Sequence, residues 1–328
     1  MTLNGDSTAG TLGISGLRFT LDARPFAFTG ISFFNAIYNP AFNEADATVR
    51  EWLRRYAKYG VNVLRVWCQW DSRRGFVDTA PQSTLYNPDG SLCPAPLERL
   101  KRLITIARDE GTVIELVIFS QESWFDGVRI EGENADRAVA NVTRELIGFR
   151  NVVLQVWNEF SDRAGDHVDT IRASDPNRIV TNSPGYSGVL MSPPYRGIVD
   201  RKLDFLTPHT SRQDDGGGRH WNVAPKEIAL LIERFQKPVV SDEPARNGTP
   251  KFGGPPEPTN PYDHILEIHG IWQNRGHIIY HHDMFQLGGD SGSVPTSGIP
   301  EPEFNPYHLE VLKFIALRDR YFDLYAAK

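Results

Sequence analysis

Two acidic residues end apolar runs of this chain. The segment VVLQVWNEF, 152 to 160, is apolar as far as Trp157 apart from one Gln and then turns polar at Asn158 and Glu159. Its run of Val and Leu reads as a strand buried on both faces, and such a strand leaves its polar groups to loops. A second segment, PVVSDEPAR, repeats the pattern with Asp242 and Glu243 at its end. Two carboxylates at strand ends around one cavity can cleave a glycosidic bond. One protonated carboxyl assists the departing oxygen, and one ionised carboxylate stabilises or attacks the anomeric carbon. Two Glu side chains suffice for this, so no metal and no cofactor is expected. The competing reading of one strand-end Glu is a salt bridge to an Arg at the mouth of the fold.

The elements needed to position such a pair can be read along the chain. Eight apolar runs read as strands: 26–33, VNVLRVW, TVIELVIF, VVLQVW, RIVTN, LDFLTP, PVVSD and HIIYHH. Helical periodicity follows seven of them, near 45–58, 96–109, 135–146, 163–173, 225–235, 262–274 and 307–320. Only the stretch after RIVTN, SPGYSGVLMSPPYRGIVDRK, is ambiguous. Strands alternating with helices through one chain predict an α/β fold, a single (β/α)8 TIM barrel spanning 1–328. Residues 1–25 are an N-terminal extension and β-hairpin, with GLRFTLDARPFAFTG turning at Asp22-Ala23-Arg24-Pro25 and plugging one end. In this layout Glu159 ends the fourth strand and Glu243 the seventh, both facing the central cavity at the C-terminal face. The Gly- and Pro-rich stretches 211–222, 246–261 and 287–306 each follow a strand, which puts them on that same face around a shaped cleft.

Composition narrows the partners. The chain has 328 residues, and a net charge of −6 from 35 basic and 41 acidic residues, with no basic run. That argues against nucleic acid and fits a neutral ligand such as an oligo- or polysaccharide. Cys68 and Cys93 form no CxxC pair, which excludes a disulfide framework and disfavours structural zinc, leaving one bridge between them open. No stretch is long and apolar enough to span a bilayer, and MTLNGDSTAGTLGIS lacks the pattern of a signal peptide. A soluble chain with no membrane partner is expected, secreted or periplasmic if a leader was trimmed and cytoplasmic otherwise. Oligomeric state is not legible.

With these residues in place, the chain resembles the retaining (β/α)8 glycoside hydrolases that include the cellulase-like glycoside hydrolase family 5. The resemblance runs from GLRFTLDARPFAFTG to the last helix and is most specific at Asn158-Glu159 and at Glu243 after KPVV. It implies that Glu159 is the acid/base and Glu243 the nucleophile of a β-glycosidase acting in carbohydrate metabolism. It further implies that Arg65, in NVLRVW, holds Glu243 ionised, that Asn158 contacts the sugar 2-hydroxyl, and that His209, in LTPHTS, lines the site. Arg65→Ala is then expected to lower turnover with little effect on folding. The chain departs from the family pattern at Ser211, where a Tyr is frequent, and at His281-His282-Asp283, where a Trp ends the eighth strand. The third-strand His is also missing from VIFSQESW. These departures count against cellulose-type stacking.

Other residues carry weaker readings. Trp67, Trp70 and Trp124 fall at or just past strand ends, where rings stack on sugars or fill a core, and Trp70 and Trp124 are taken as substrate contacts. Trp52 and Trp272 lie on helix faces and read as core, whereas Trp221 either caps the cleft or is a plain loop residue. Strand alternation separates His281 from His282, which disfavours a shared metal and leaves His282 as a substrate contact. The same alternation turns Asp242 towards a helix. A transglycosidase on the same Glu pair, a non-catalytic carbohydrate-binding barrel and, more remotely, a metal-dependent barrel hydrolase are the alternatives. Turnover of an activated aryl glycoside and sensitivity to chelators discriminate among them.

Overall fold

The computed structural model describes residues 10–71, 83–210, 220–243, 260–281, 297–304 and 306–326. The chain opens with three short strands, β1 (Leu12–Ser15), β2 (Arg18–Leu21) and β3 (Arg24–Phe26), in an antiparallel sheet of order β1-β2-β3. Asp22 and Ala23 both take positive φ, 51° and 62°, which gives the β2–β3 turn the twist that a tight hairpin requires. The Asp22 carboxylate accepts hydrogen bonds from the backbone N–H groups of Gly10 and Thr11, fixing the preceding chain against the turn.

Seven parallel strands follow: β4 (Thr29–Ser32), β5 (Val63–Trp67), β6 (Val113–Ser120), β7 (Val152–Asn158), β8 (Val180–Thr181), β9 (Val240–Ser241) and β10 (His277–Tyr280). Their order is β8-β7-β6-β5-β4-β10-β9, and every residue of β4 to β7 is buried, as a sheet covered on both faces demands. The expected sixth strand, LDFLTP, contributes no regular ladder but bonds on both sides. The Asp204 N–H donates to the Val180 carbonyl, the Leu206 N–H to Pro238, and the Val240 N–H to Leu206. These bonds link β8 to β9, and the curled sheet with its flanking helices fits the (β/α)8 fold.

Helices cover the strands: α1 (Asp46–Ala57), α2 (Pro94–Asp109), α3 (Gln121–Asp126), α4 (Gly132–Glu145), α5 (Ala164–Ser174), α6 (Pro193–Arg201), α7 (His220–Phe235), α8 (Pro261–Gln273), α9 (Pro306–Ile315) and α10 (Arg318–Ala326). Helix α1, for instance, packs Val49, Leu53 and Tyr56 inward. The ambiguous stretch after the fifth barrel strand forms a 3-10 turn, Ser187–Met191, and then α6, which starts on Pro193 because proline suits the first helical turn. The single expected C-terminal helix divides into α9 and α10. Cys68 and Cys93 are free thiols, so the open disulfide does not form.

The hairpin closes the N-terminal end of the barrel. Phe19, Phe26 and Phe28 cluster with Val63, Val113, Val153, Phe205 and Val240, residues at or near the starts of their strands. The opposite end, where the strands finish, is left for the polar residues. Among the described residues no helix is long and apolar enough to cross a membrane.

Candidate active site

Arg65 organises the C-terminal end of the barrel. It is the middle residue of β5, fully buried, and its Cα partner across the ladder is Glu115 of β6. Its Nε donates to the Gln155 Oε1 at 3.0 Å, its Nη2 to the Asn158 Oδ1 at 2.6 Å, and its Nη1 to the Glu243 Oε1 at 3.2 Å. Asp242 Oδ2 lies 2.9 Å from Nη2 and Glu115 Oε1 lies 3.6 Å from Nε. One guanidinium therefore faces three carboxylates, each 0 or 1% exposed. The indole of Trp67 covers it, with the guanidinium carbon 4.6 Å from the ring centroid.

Glu159 follows the last residue of β7 with φ of 59°, a left-handed conformation that costs a non-glycine residue on the order of 1 kcal/mol. Such strain persists where the surroundings fix it, and it is common at functional positions. His209 bridges the two Glu residues: its Nδ1 is 3.1 Å from Glu159 Oε1 and its Nε2 is 3.5 Å from Glu243 Oε1. One oxygen of Glu159, one oxygen of Glu243 and a His209 nitrogen all lie within 4.8 Å of one another. The two carboxylates are not equivalent, because the Glu159 side chain is 23% exposed and that of Glu243 only 1%. Asn158 presents Oδ1 to Arg65, since a guanidinium can only donate, which leaves its amide N–H free to meet a hydroxyl.

Glu159, His209 and Glu243 could together also reach a metal ion. Arg65, 3.2 Å from Glu243, already supplies the positive charge there and works against a dication.

Asp242 does not turn towards a helix. It faces Arg65 from inside the barrel, because the ladder of β9 ends at Ser241 and strand alternation does not extend beyond it. His281 also joins the site: its Nε2 is 3.8 Å from Glu243 Oε2 and its Nδ1 is 3.1 Å from Ser32 Oγ. His282, Asp283 and Ser211 lie outside the described residues. Trp70 is 3% exposed and stacks on Phe34 at 4.6 Å, and Phe34 in turn meets His281 edge-on. Trp124 packs against Trp157 and Phe160 under the Arg129 guanidinium. Trp272 is core, Trp52 packs half-buried against it, and Trp221 is half-buried in the first turn of α7.

Gln155, Glu115, Ser32 and Phe34 were not flagged by sequence. Glu115 had a readable signal, a single charge inside the apolar run VIELVIF, matched in position to the Arg of VNVLRVW. Burial pushes the Glu115 carboxyl up to about 7, against the pull of Arg65. Burial likewise raises Asp242 to about 7, opposed by Arg65 and His209. A carboxyl with a raised folded-state pKa binds its proton more tightly when folded. Its contribution to stability is then full below about pH 4 and is lost as pH rises through 7. Glu115→Gln should remove much of this loss, leaving stability unchanged at pH 4 and higher by about 2 kcal/mol at pH 8. Denaturant melts at the two pH values read this directly; an equal change at both would refute it.

The same geometry revises the expectation for Arg65→Ala. Removing the guanidinium that contacts Glu115, Asp242 and Glu243 strands buried charge, at a cost of about 3 to 5 kcal/mol at pH 8. At pH 5 the loss should shrink as carboxyls protonate. A variant as stable as the parent at pH 8 would contradict this.

No family model matches the chain, and no curated protein matches it. Solved structures do. A candidate glycoside hydrolase from Bacteroides vulgatus superposes with a TM-score of 0.67 at 15% identity, over 94% of this chain and 61% of that one. A glycoside hydrolase family 5 mannosidase mutant from Rhizomucor miehei, solved with mannosyl-fructose, gives 0.65 at 12% identity, over 97% of this chain and 99% of that one. An endo-β-1,4-mannanase from Thermotoga petrophila gives 0.59 at 16% identity, over 89% and 77%. The chain has their fold. It spans about three-fifths of the length of the first of them, and on this shared frame Glu159 and Glu243 sit at the C-terminal ends of the fourth and seventh barrel strands.

Proposed function

We propose that the chain is a retaining glycosidase that cleaves β-linked saccharides through a covalent glycosyl-enzyme. The observation that carries this reading is the pair itself, with an oxygen of Glu159 within 4.8 Å of an oxygen of Glu243. Retaining enzymes hold their carboxyl groups about 5 to 5.5 Å apart, whereas inverting ones leave about 6.5 to 9.5 Å for a water. In this mechanism Glu243, ionised beside Arg65, attacks the anomeric carbon while Glu159 protonates the leaving oxygen. Glu159 then deprotonates water, which releases the sugar. The partial exposure of Glu159 gives water access to the face where it must act. Asn158 donates to the 2-hydroxyl, and His209 fixes Glu159 relative to Glu243.

We take residues 1–328 as one catalytic unit, with Trp70 lining the sugar site through Phe34 and Trp124 supporting it through Phe160. Among substrates, β-mannosides come first, because two of the structures sharing the fold are described as a mannosidase and a mannanase. A panel of aryl β-glycosides and of mannans, glucans and xylans tests this. Turnover of none of them would sink the glycosidase reading, and turnover of other sugars alone would sink only the mannoside preference.

Tyr186 adds a specific expectation. It is 80% exposed, and its backbone pairs with His209 at the barrel mouth, beside the acid/base. An exposed ring there can stack on the sugar that departs, worth roughly 0.5 to 1.5 kcal/mol. Tyr186→Ala should raise KM for oligosaccharides up to about tenfold while leaving aryl glycosides unaffected. Equal effects on both substrate types would remove Tyr186 from the leaving-group side.

A further inference from the structure

Glu159 takes a φ of 59° directly after β7, so its surroundings have to hold it there. Regular pairing of β7 with β8 stops at Gln155 and Thr181. Asn182, the next residue of the chain and fully buried, continues it with its side chain. Its Oδ1 accepts from the Trp157 N–H at 3.1 Å. Its Nδ2 donates towards the Phe160 carbonyl at 3.2 Å, Ser161 Oγ at 3.3 Å and the Tyr195 hydroxyl at 2.7 Å. The reversed amide would set NH2 against the Trp157 N–H and an oxygen against the Phe160 carbonyl, so these bonds fix its orientation.

One side-chain amide therefore grips the chain two residues before Glu159 and one residue after it. The segment that carries it also reaches the partner of Glu159. The Ser183 N–H donates to the Trp157 carbonyl at 3.1 Å, and the Gly185 carbonyl accepts from the His209 N–H at 2.6 Å. His209 in turn lies 3.1 Å from the Glu159 carboxylate. The Trp157 indole closes the turn from within by donating to the Asp162 carbonyl at 2.8 Å, whereas Asn182 ties the turn to the neighbouring strand. A catalytic group displaced by about 1 Å can lose on the order of 10²-fold in rate. Supporting hydrogen bonds of this kind are what keep such a group within tolerance.

We propose that Asn182 is a positioning residue for the acid/base: it holds the backbone of Glu159 so that the carboxyl meets the leaving oxygen. The inference rests on the role of Glu159 proposed above. Asn182→Ala should lower kcat/KM for a phenyl glycoside by about 10- to 100-fold, and for the dinitrophenyl glycoside of the same sugar by less than about threefold, because the better leaving group needs little protonation. A merely structural role would reduce the amount of folded enzyme and so lower both values by one factor. Tyr195→Phe, which removes only the hydroxyl behind the amide, should show the same selectivity at about 3- to 10-fold; it decides the matter alone if Asn182→Ala does not fold. Equal losses on the two substrates, or no loss on either, overturn the proposal. Glu159→Ala, measured alongside, separates the two readings: leaving-group selectivity there but not at Asn182 removes only the positioning role, and its absence from both removes the acid/base assignment as well.

Discussion

Glu243→Ala should lose hydrolysis by on the order of 10⁴-fold or more while folding at least as well as the parent. The activity loss follows from removing the atom that forms the bond to the sugar. The stability follows from charge: three buried carboxylates face one guanidinium, and deleting Glu243 leaves Arg65 with Asp242 and Glu115. Arg65 therefore keeps two carboxylate partners and is not left as an unpaired buried charge. Azide added to this variant should attack the substrate directly from the vacated face and yield a glycosyl azide of inverted, α configuration. Kinetics, a thermal melt and the anomeric configuration of the azide check the three parts. Retained activity would remove Glu243 from the chemistry.

Glu159→Ala should behave differently in each respect. Its loss falls on protonation of the leaving group, so substrates with poor leaving groups should slow by about 10² to 10⁴-fold, and activated aryl glycosides far less. The glycosyl-enzyme on Glu243 still forms. Azide entering the space beside His209 should then release it as a glycosyl azide of retained, β configuration. If the two variants gave the opposite azides, the roles of Glu159 and Glu243 would have to be exchanged.

Much of this site was legible because strand ends are legible. The runs TVIELVIF and VVLQVW are buried at every position, so a polar residue at their end has to belong to the barrel mouth. Glu159 was read on that basis, Arg65, Asn158 and His209 through the family resemblance, and the structure brings all four together with Glu243. Asp242 was misplaced because alternation was carried past the end of a ladder only two residues long. Glu115 was overlooked because a charge inside an apolar strand has no local explanation. Its partner is on the neighbouring strand, in register with Arg65, and register is not a local property. Helix α6 was obscured by its own proline start and by the Gly- and Ser-rich turn before it. The sixth barrel strand was read correctly as a position in the barrel, although it is held by isolated bridges rather than by a ladder.

The mechanism is tested most directly by trapping the intermediate. An activated 2-deoxy-2-fluoro β-glycoside of the preferred sugar slows release of the glycosyl-enzyme enough for proteolysis and peptide mass spectrometry. One sugar covalently attached to the peptide containing Glu243 is the expected result. A label on another residue, or steady turnover to an inverted product with no labelled peptide, would contradict the assignment of Glu243 as the nucleophile.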